Sequence, residues 1–259
     1  MKNRVIAFAG KGGVGKTTSL ALFLKYLLEN GNSKDILVID SDPDANVADV
    51  IGHEVQFCDT IGGKMKVLKD KIQSMKLSPN TPKGQLIESD VYNCLIEMDE
   101  FDLLEMGRQE GEGCYCFIND VLKKVIDTLS KNYDITLLDS PAGLEHFARK
   151  TGRKVTDLIV VSDPSKMAMH TFKRILEITD ELQLEFENIW VLGNRFPKGL
   201  EEILVKEITE TNRDNVKLLG FISGNDDIAK INLTGGNLLK ISNQNASYLQ
   251  AKEIFSKVI

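Results

Sequence analysis

The chain reads as an α/β protein, one doubly wound domain over residues 1–259 with a mostly parallel sheet and helices on both faces. Three observations predict it. Short continuous apolar runs recur along the length, at residues 5–8, 36–39, 158–161 and 189–192, as in strands buried on both faces, and the mainly apolar run at 133–138 reads as another buried strand. Each run is followed by apolar residues at helical spacing. The first run opens into a glycine-rich turn, and two others end in a carboxylate, which places chemistry at the C-terminal edge of the sheet.

The first strand, Val5-Ile6-Ala7-Phe8, leads into Ala9-Gly10-Lys11-Gly12-Gly13-Val14-Gly15-Lys16-Thr17-Thr18 and then a helical pattern over residues 19–29. Strand, glycine-rich turn and helix start is the setting in which G-x-x-x-x-G-K-[ST] is a phosphate-binding P-loop. Glycines let successive N–H groups face an anion without Cβ clashes, and the helix aims the positive end of its dipole there. Gly12, Gly13, Val14, Gly15, Lys16, Thr17 and Thr18 are therefore the nucleotide-binding candidates. Lys16 brings its ammonium to the β/γ-phosphates, and Thr17 offers a hydroxyl to Mg²⁺.

Asn30-Gly31 stops the first helix. The next strand, residues 36–39, runs into Asp40-Ser41-Asp42-Pro43-Asp44, carboxylates that would repel one another beside a phosphate unless a cation or proton is shared. Residues 51–113 are the least regular. Met65, Leu68, Ile72 and Met75 mark a surface helix with one buried stripe, and residues 78–82 a turn. Ile87, Val91, Cys94 and Met98 suggest a second helix in which Cys94 is a packed thiol, and residues 101–104 a short strand. Cys58 is expected to be structural.

Cys114-Tyr115-Cys116 follows. In an extended segment residues i and i+2 point to one side, so both sulfurs can face one ion, yet two ligands leave a four-coordinate site incomplete. A two-fold axis through the pair would supply two more. Thiolates suit tetrahedral Zn²⁺ or planar Ni²⁺, and a redox dithiol or a buried pair are the other readings. Ile118, Leu122, Val125 and Leu129 build a helix, and residues 133–139 a strand ending in Asp139, the Walker B pattern that holds Mg²⁺. The remaining alternation gives a strand at 158–161, a helix from about 165 to 182, a strand at 189–192 leading to Asn194, a helix at 200–208, a strand at 217–222 and a final amphipathic helix.

The run Lys11-Gly12-Gly13-Val14-Gly15-Lys16-Thr17-Thr18 resembles the deviant P-loop of the MinD, ParA and nitrogenase-iron-protein class of ATPases. The resemblance implies that Lys11 reaches across a homodimer to the partner's phosphates; a solvated loop lysine is the alternative. It implies that Asp42 orients the attacking water, that Asp40 supports the Mg²⁺ shell, and that Gly143 senses the γ-phosphate. By the same likeness Asn194 recognises adenine, with an ordinary turn asparagine as its rival, and His146 packs in a switch helix. Met106-Gly107-Arg108 with Gly111-Glu112-Gly113-Cys114-Tyr115-Cys116 resembles the CooC-type accessory ATPases of nickel carbon monoxide dehydrogenase and acetyl-CoA synthase. That likeness implies an ATP-hydrolysing homodimer that binds Ni²⁺ or Zn²⁺ at Cys114 and Cys116 and serves an apo nickel enzyme.

The totals fit this reading. A net charge of −6 argues against bulk attraction to nucleic acid or an anionic membrane, and no apolar run reaches the length of a membrane span. The first residues enter a strand rather than a signal-peptide core, so a cytoplasmic protein with reduced thiols is expected. An iron–sulfur electron donor of the nitrogenase type needs a cysteine beyond the Walker B strand, and none follows Asp139. A MinD- or ParA-like positioning ATPase is the other rival. The last helix carries only Lys252 and Lys257 as basic residues, which supports membrane attachment poorly.

Overall fold

The computed structural model describes residues 3–31, 35–42, 46–74, 89–108, 128–141 and 155–259. Its strands are β1 (Arg4–Ala9), β2 (Ile36–Asp40), β3 (Ile96–Glu97), β4 (Asp102–Glu105), β5 (Ile135–Asp139), β6 (Asp157–Ser162), β7 (Asn188–Asn194) and β8 (Val216–Ile222). The helices are α1 (Lys16–Asn30), α2 (Val47–Val50), α3 (Ile61–Gln73), α4 (Lys166–Glu181), α5 (Glu201–Glu210), α6 (Asp226–Thr234) and α7 (Ala246–Phe255). Among the described residues the strands form one sheet in the order β3-β4-β2-β5-β1-β6-β7-β8. Every pairing is parallel except the short β3 against β4, which confirms the doubly wound, mostly parallel sheet.

The sheet has a core on each face because side chains alternate along a strand. Val5, Ala7 and Ala9 of β1 point to one layer with Leu158 and Val160, covered by Met169, Phe172 and Ile175 of α4. Ile6 and Phe8 point to the other, with Val38, Leu137 and Ile159, under α1 and α7. There Phe23 of α1 meets Phe255 of α7 with ring centroids 4.7 Å apart. A buried pair locks the opposite end of the sheet: Arg4 donates to Asp157 at 2.6 Å, and Asn188 and Trp190 donate to the other oxygen of that carboxylate.

β1 is the pivot, since the chain leaves it towards β5 and β2 on one side and β6 to β8 lie on the other. In such a sheet the crevice beyond the strand C-termini at the pivot receives ligands. Two local expectations are revised. The helical spacing from Ile87 to Met98 is two elements: a single turn at residues 89–92 closes at 93–94, and the chain then enters β3, so Met98 is not helical. Cys94 is packed as expected, 1% exposed, with its thiol donating to the Asp90 carbonyl at 3.1 Å, and burial pushes that thiol up to about 12. Cys58 lies exposed in the 3₁₀ turn Phe57–Asp59 rather than in a core. Met65 and Leu68 of α3 are buried, while Met75, residues 78–82, Ile87, Ile118, Leu122 and Val125 lie outside the described residues.

Candidate functional site

The glycine-rich turn joins β1 to α1 at the pivot. Gly10 has φ +142°, and a Cβ there would sit 2.3 Å from the Val161 carbonyl oxygen of β6, so the loop can leave the sheet only with glycine at this point. Gly15 caps α1 from the left-handed region, at φ +94° and ψ +33°. Gly12 and Gly13 are exposed, Val14 is buried, and Lys16 is 8% exposed. Lys11 and Thr18 are partly exposed; the Lys11 carbonyl accepts the Val14 N–H at 3.4 Å, and the Thr18 hydroxyl accepts from Asn232 of α6 at 3.2 Å.

Two residues at the exit of β7 hold this loop from behind. Asn194, 9% exposed, donates its side-chain amide to the Val14 carbonyl at 2.7 Å. Arg195, itself at φ +58°, donates to the Gly13 carbonyl at 2.6 Å and lies 3.8 Å from Asp163. Because a trans peptide points its C=O and N–H in opposite directions, the Val14 carbonyl fixed by Asn194 turns the Gly15 N–H the other way, while the Val14 N–H is directed at the Lys11 carbonyl. The Asn194 amide expected to read adenine is thus placed against the P-loop backbone. Arg195 was not foreseen; only its place directly after the strand-exit asparagine hinted at it.

Thr17, on the first turn of α1, donates its hydroxyl to Asp139 Oδ2 of β5 at 2.5 Å. The parallel register of β2, β4 and β5 sets Asp139, Asp40 and Glu105 side by side at the ends of three neighbouring strands. All three are buried, at 1%, 0% and 3% exposure. Asp40 Oδ1 accepts the Asp42 N–H at 3.0 Å and Oδ2 the Val47 N–H at 2.8 Å, while Glu105 accepts the Ala48 N–H at 3.2 Å. Burial pushes Asp139 up to about 6, against the Thr17 hydroxyl and the Lys16 ammonium and with the Asp42 charge. Burial and the neighbouring Asp139 raise Asp40 well above the usual carboxylate range, and burial brings Glu105 to about 7.

Asp139 Oδ1 is buried without a hydrogen-bond partner. An orphaned carboxylate oxygen beside a hydroxyl, with a second carboxylate on the next strand, is an all-oxygen donor set of the kind Mg²⁺ takes together with waters. The loop, the Lys16 ammonium and the Thr17–Asp139 pair lie together at the C-terminal ends of β1 and β5, and together they suit a phosphorylated ligand with a hard cation. No cluster of three or more His, Cys, Asp or Glu side chains arranged for a metal occurs among the described residues. Cys114, Cys116, Gly143 and His146 lie outside them, and no helix of the described residues is long and apolar enough to cross a membrane. Glu105 was overlooked in the sequence, although it ends an apolar strand just as Asp40 and Asp139 do.

Residues 3–190 match the AAA_31 family model, described as an AAA domain. An ATP-binding protein of Methanocaldococcus jannaschii is 37% identical over 98% of both chains. The carbon monoxide dehydrogenase accessory protein CooC of Rhodospirillum rubrum is 28% identical over 70% of each. Among solved structures, a ParA family ATPase from Chlorobium tepidum superposes with a TM-score of 0.71 at 16% identity, covering 98% of this chain and 99% of that one. With nearly three-quarters of its length so matched, the chain belongs to the AAA_31 family and carries the ParA/MinD-like P-loop ATPase fold.

Proposed function

We propose that the protein binds ATP in the crevice at the end of β1, hydrolyses it, and uses the cycle as a homodimeric maturation factor of the CooC type. The observation that carries the nucleotide reading is the Thr17–Asp139 contact at 2.5 Å, with a buried, unpartnered oxygen on the same carboxylate. Gly12, Gly13, Val14, Gly15 and Thr18 cradle the phosphates, and Lys16 neutralises charge on them. Mg²⁺, held through Thr17 and Asp139 with Asp40 behind, would supply charge neutralisation at the β/γ-phosphates. Asp42 orients the attacking water and accepts its proton, and Lys11 of a second copy completes the charge around the phosphates. Gly143 reports the γ-phosphate, and Asn194 contacts the base from its place against the loop.

The cargo half of the proposal rests on Cys114-Tyr115-Cys116 and on the similarity to the accessory protein of Rhodospirillum rubrum. Two copies present four thiolates, which take Ni²⁺ or Zn²⁺ as cargo for an apo nickel enzyme. ATP and metal each favour one arrangement of the dimer, so each raises affinity for the other. The test is a Ni²⁺ and Zn²⁺ titration of the wild type against C114A/C116A, with and without MgATP, read by dimer mass and stoichiometry. One ion per two chains, abolished by the double substitution, is expected; an ion retained by a monomeric double variant refutes the shared site.

A second reading, a positioning ATPase, is supported by similarity to the septum site-determining protein MinD of Thermotoga maritima, 25% identical over 91% of this chain and 80% of that one. Co-sedimentation of the MgATP form with DNA or anionic vesicles separates the two. Binding to either, together with no metal at the cysteine pair, selects the positioning reading.

A further inference from the structure

Among the three carboxylates at the sheet edge, Glu105 has no part in the phosphate chemistry described above, yet it is 3% exposed. A buried carboxylate needs a compensating partner, and the one it has is informative. Glu105 accepts the N–H of Ala48, while Asp40, its register neighbour on β2, accepts the N–H of Val47, the preceding residue. The first two amides of α2 are thus gripped by carboxylates from two adjacent strands. Asp40 takes the Asp42 N–H with its other oxygen, so both ends of the connection from Asp42 to Val47 hang from the same row. A helix of four residues has almost no stability of its own, and its start is held by these bonds and by packing. β4 is also tied directly behind the site: the Met106 N–H donates to the Asp40 carbonyl at 2.9 Å, and Gly62 of α3 donates to the Met106 carbonyl at 2.7 Å.

We propose that Glu105 is a positioning residue for ATP hydrolysis: by accepting the Ala48 N–H it anchors the start of α2, and through it fixes where the chain carries Asp42 against the phosphates. The inference rests on the ATPase reading above. It assigns Glu105 no contact with nucleotide, so the effect of losing it falls on turnover rather than on binding. Val47, Ala48 and Ile51 are also packed, at 0%, 3% and 2% exposure, so the fold as a whole is expected to tolerate the loss while the start of α2 is no longer fixed against the row of carboxylates.

The test compares E105Q with E105M by steady-state MgATP hydrolysis and by thermal unfolding. Glutamine keeps a carbonyl oxygen where Ala48 needs it, and its kcat stays within about threefold of wild type. Methionine has similar length and no such acceptor; kcat falls about 10- to 100-fold while KM stays within about threefold, the scale expected when one buried N–H is left without its acceptor. An E105M enzyme with wild-type kcat overturns the inference. So does an E105Q enzyme as slow as E105M, or a joint change of kcat and KM in an E105M enzyme whose Tm is unchanged. If E105M does not fold, amide exchange on the wild-type protein decides: a protected Ala48 amide supports the anchor, and its free exchange refutes it. A wild type that does not hydrolyse ATP removes the ATPase reading and this inference with it, whereas active wild type with indifferent variants removes only this one.

Discussion

Substituting Gly15 by alanine tests the loop geometry through two separable costs. The residue sits at φ +94°, where an L side chain costs about 1–2 kcal/mol. A Cβ built there also lies 2.4 Å from Asn194 Nδ2, so the Asn194 amide must swing away and give up its 2.7 Å bond to the Val14 carbonyl. A buried hydrogen bond lost in this way costs about 1–2 kcal/mol, much of it from the carbonyl left unpaired. The total for G15A is therefore about 2–4 kcal/mol. The two parts come apart in a double-mutant cycle with N194A, which removes both the obstacle and the bond. In that background G15A should cost only the backbone part, about 1–2 kcal/mol, giving a coupling of about 1–2 kcal/mol. Urea unfolding of the nucleotide-free protein, with unchanged m, measures all four corners. Strict additivity of the two substitutions would refute the contact between Gly15 and Asn194 as the source of the second cost.

Three further outcomes are expected. R195A removes the bond to the Gly13 carbonyl from a half-exposed guanidinium, so Tm changes little while ATP affinity drops about 3- to 10-fold by calorimetry; unchanged affinity would show that Arg195 does not organise the loop. Asp139 is raised to about 6 from an ordinary 3.8, so the folded protein holds that proton more tightly than the unfolded chain. Nucleotide-free Tm should therefore rise as pH falls from about 7 towards 4, with a weaker slope in D139N, and a slope unaffected by that substitution would contradict the burial of a strained carboxylate. R4M strips the fully buried Asp157 of its cation and leaves Asn188 and Trp190 as its donors, at a cost of about 3–5 kcal/mol in urea unfolding; R4M/D157L should recover part of it.

The sheet was legible because its strands are buried on both sides and so read as unbroken apolar runs: residues 36–39 and 158–161 became β2 and β6 almost unchanged. The P-loop was legible because Gly10, Gly13 and Gly15 are demanded by positive φ, and Gly10 and Gly15 by close approach as well, rather than by distant packing. Thr17 and Asp139 could each be named, but their contact joins residues 122 positions apart and depends on β5 lying beside β1. Glu105 and Arg195 were missed for the same reason, since their partners, Ala48 and Gly13, are set by strand order. The helix drawn from Ile87 to Met98 failed because three-to-four spacing over a short span does not distinguish one helix from a turn followed by a strand. α6 escaped notice although its cap was visible: Asn225 accepts the N–H groups of Asp227 and Ile228.

Among the described residues, the two margins of the sheet are both unsuited to lengthening it. On one side β3 is two residues long and runs antiparallel to its neighbour. On the other, β8 slips register against β7 between Val191 and Leu192 and carries Gly220 at φ +155°, pressed against Ile254. Such a short border and such an irregular one discourage a foreign strand from docking by backbone ladder. Two copies that meet must do so through side chains and loops, and a joint made that way can be opened and remade without unpicking the sheet.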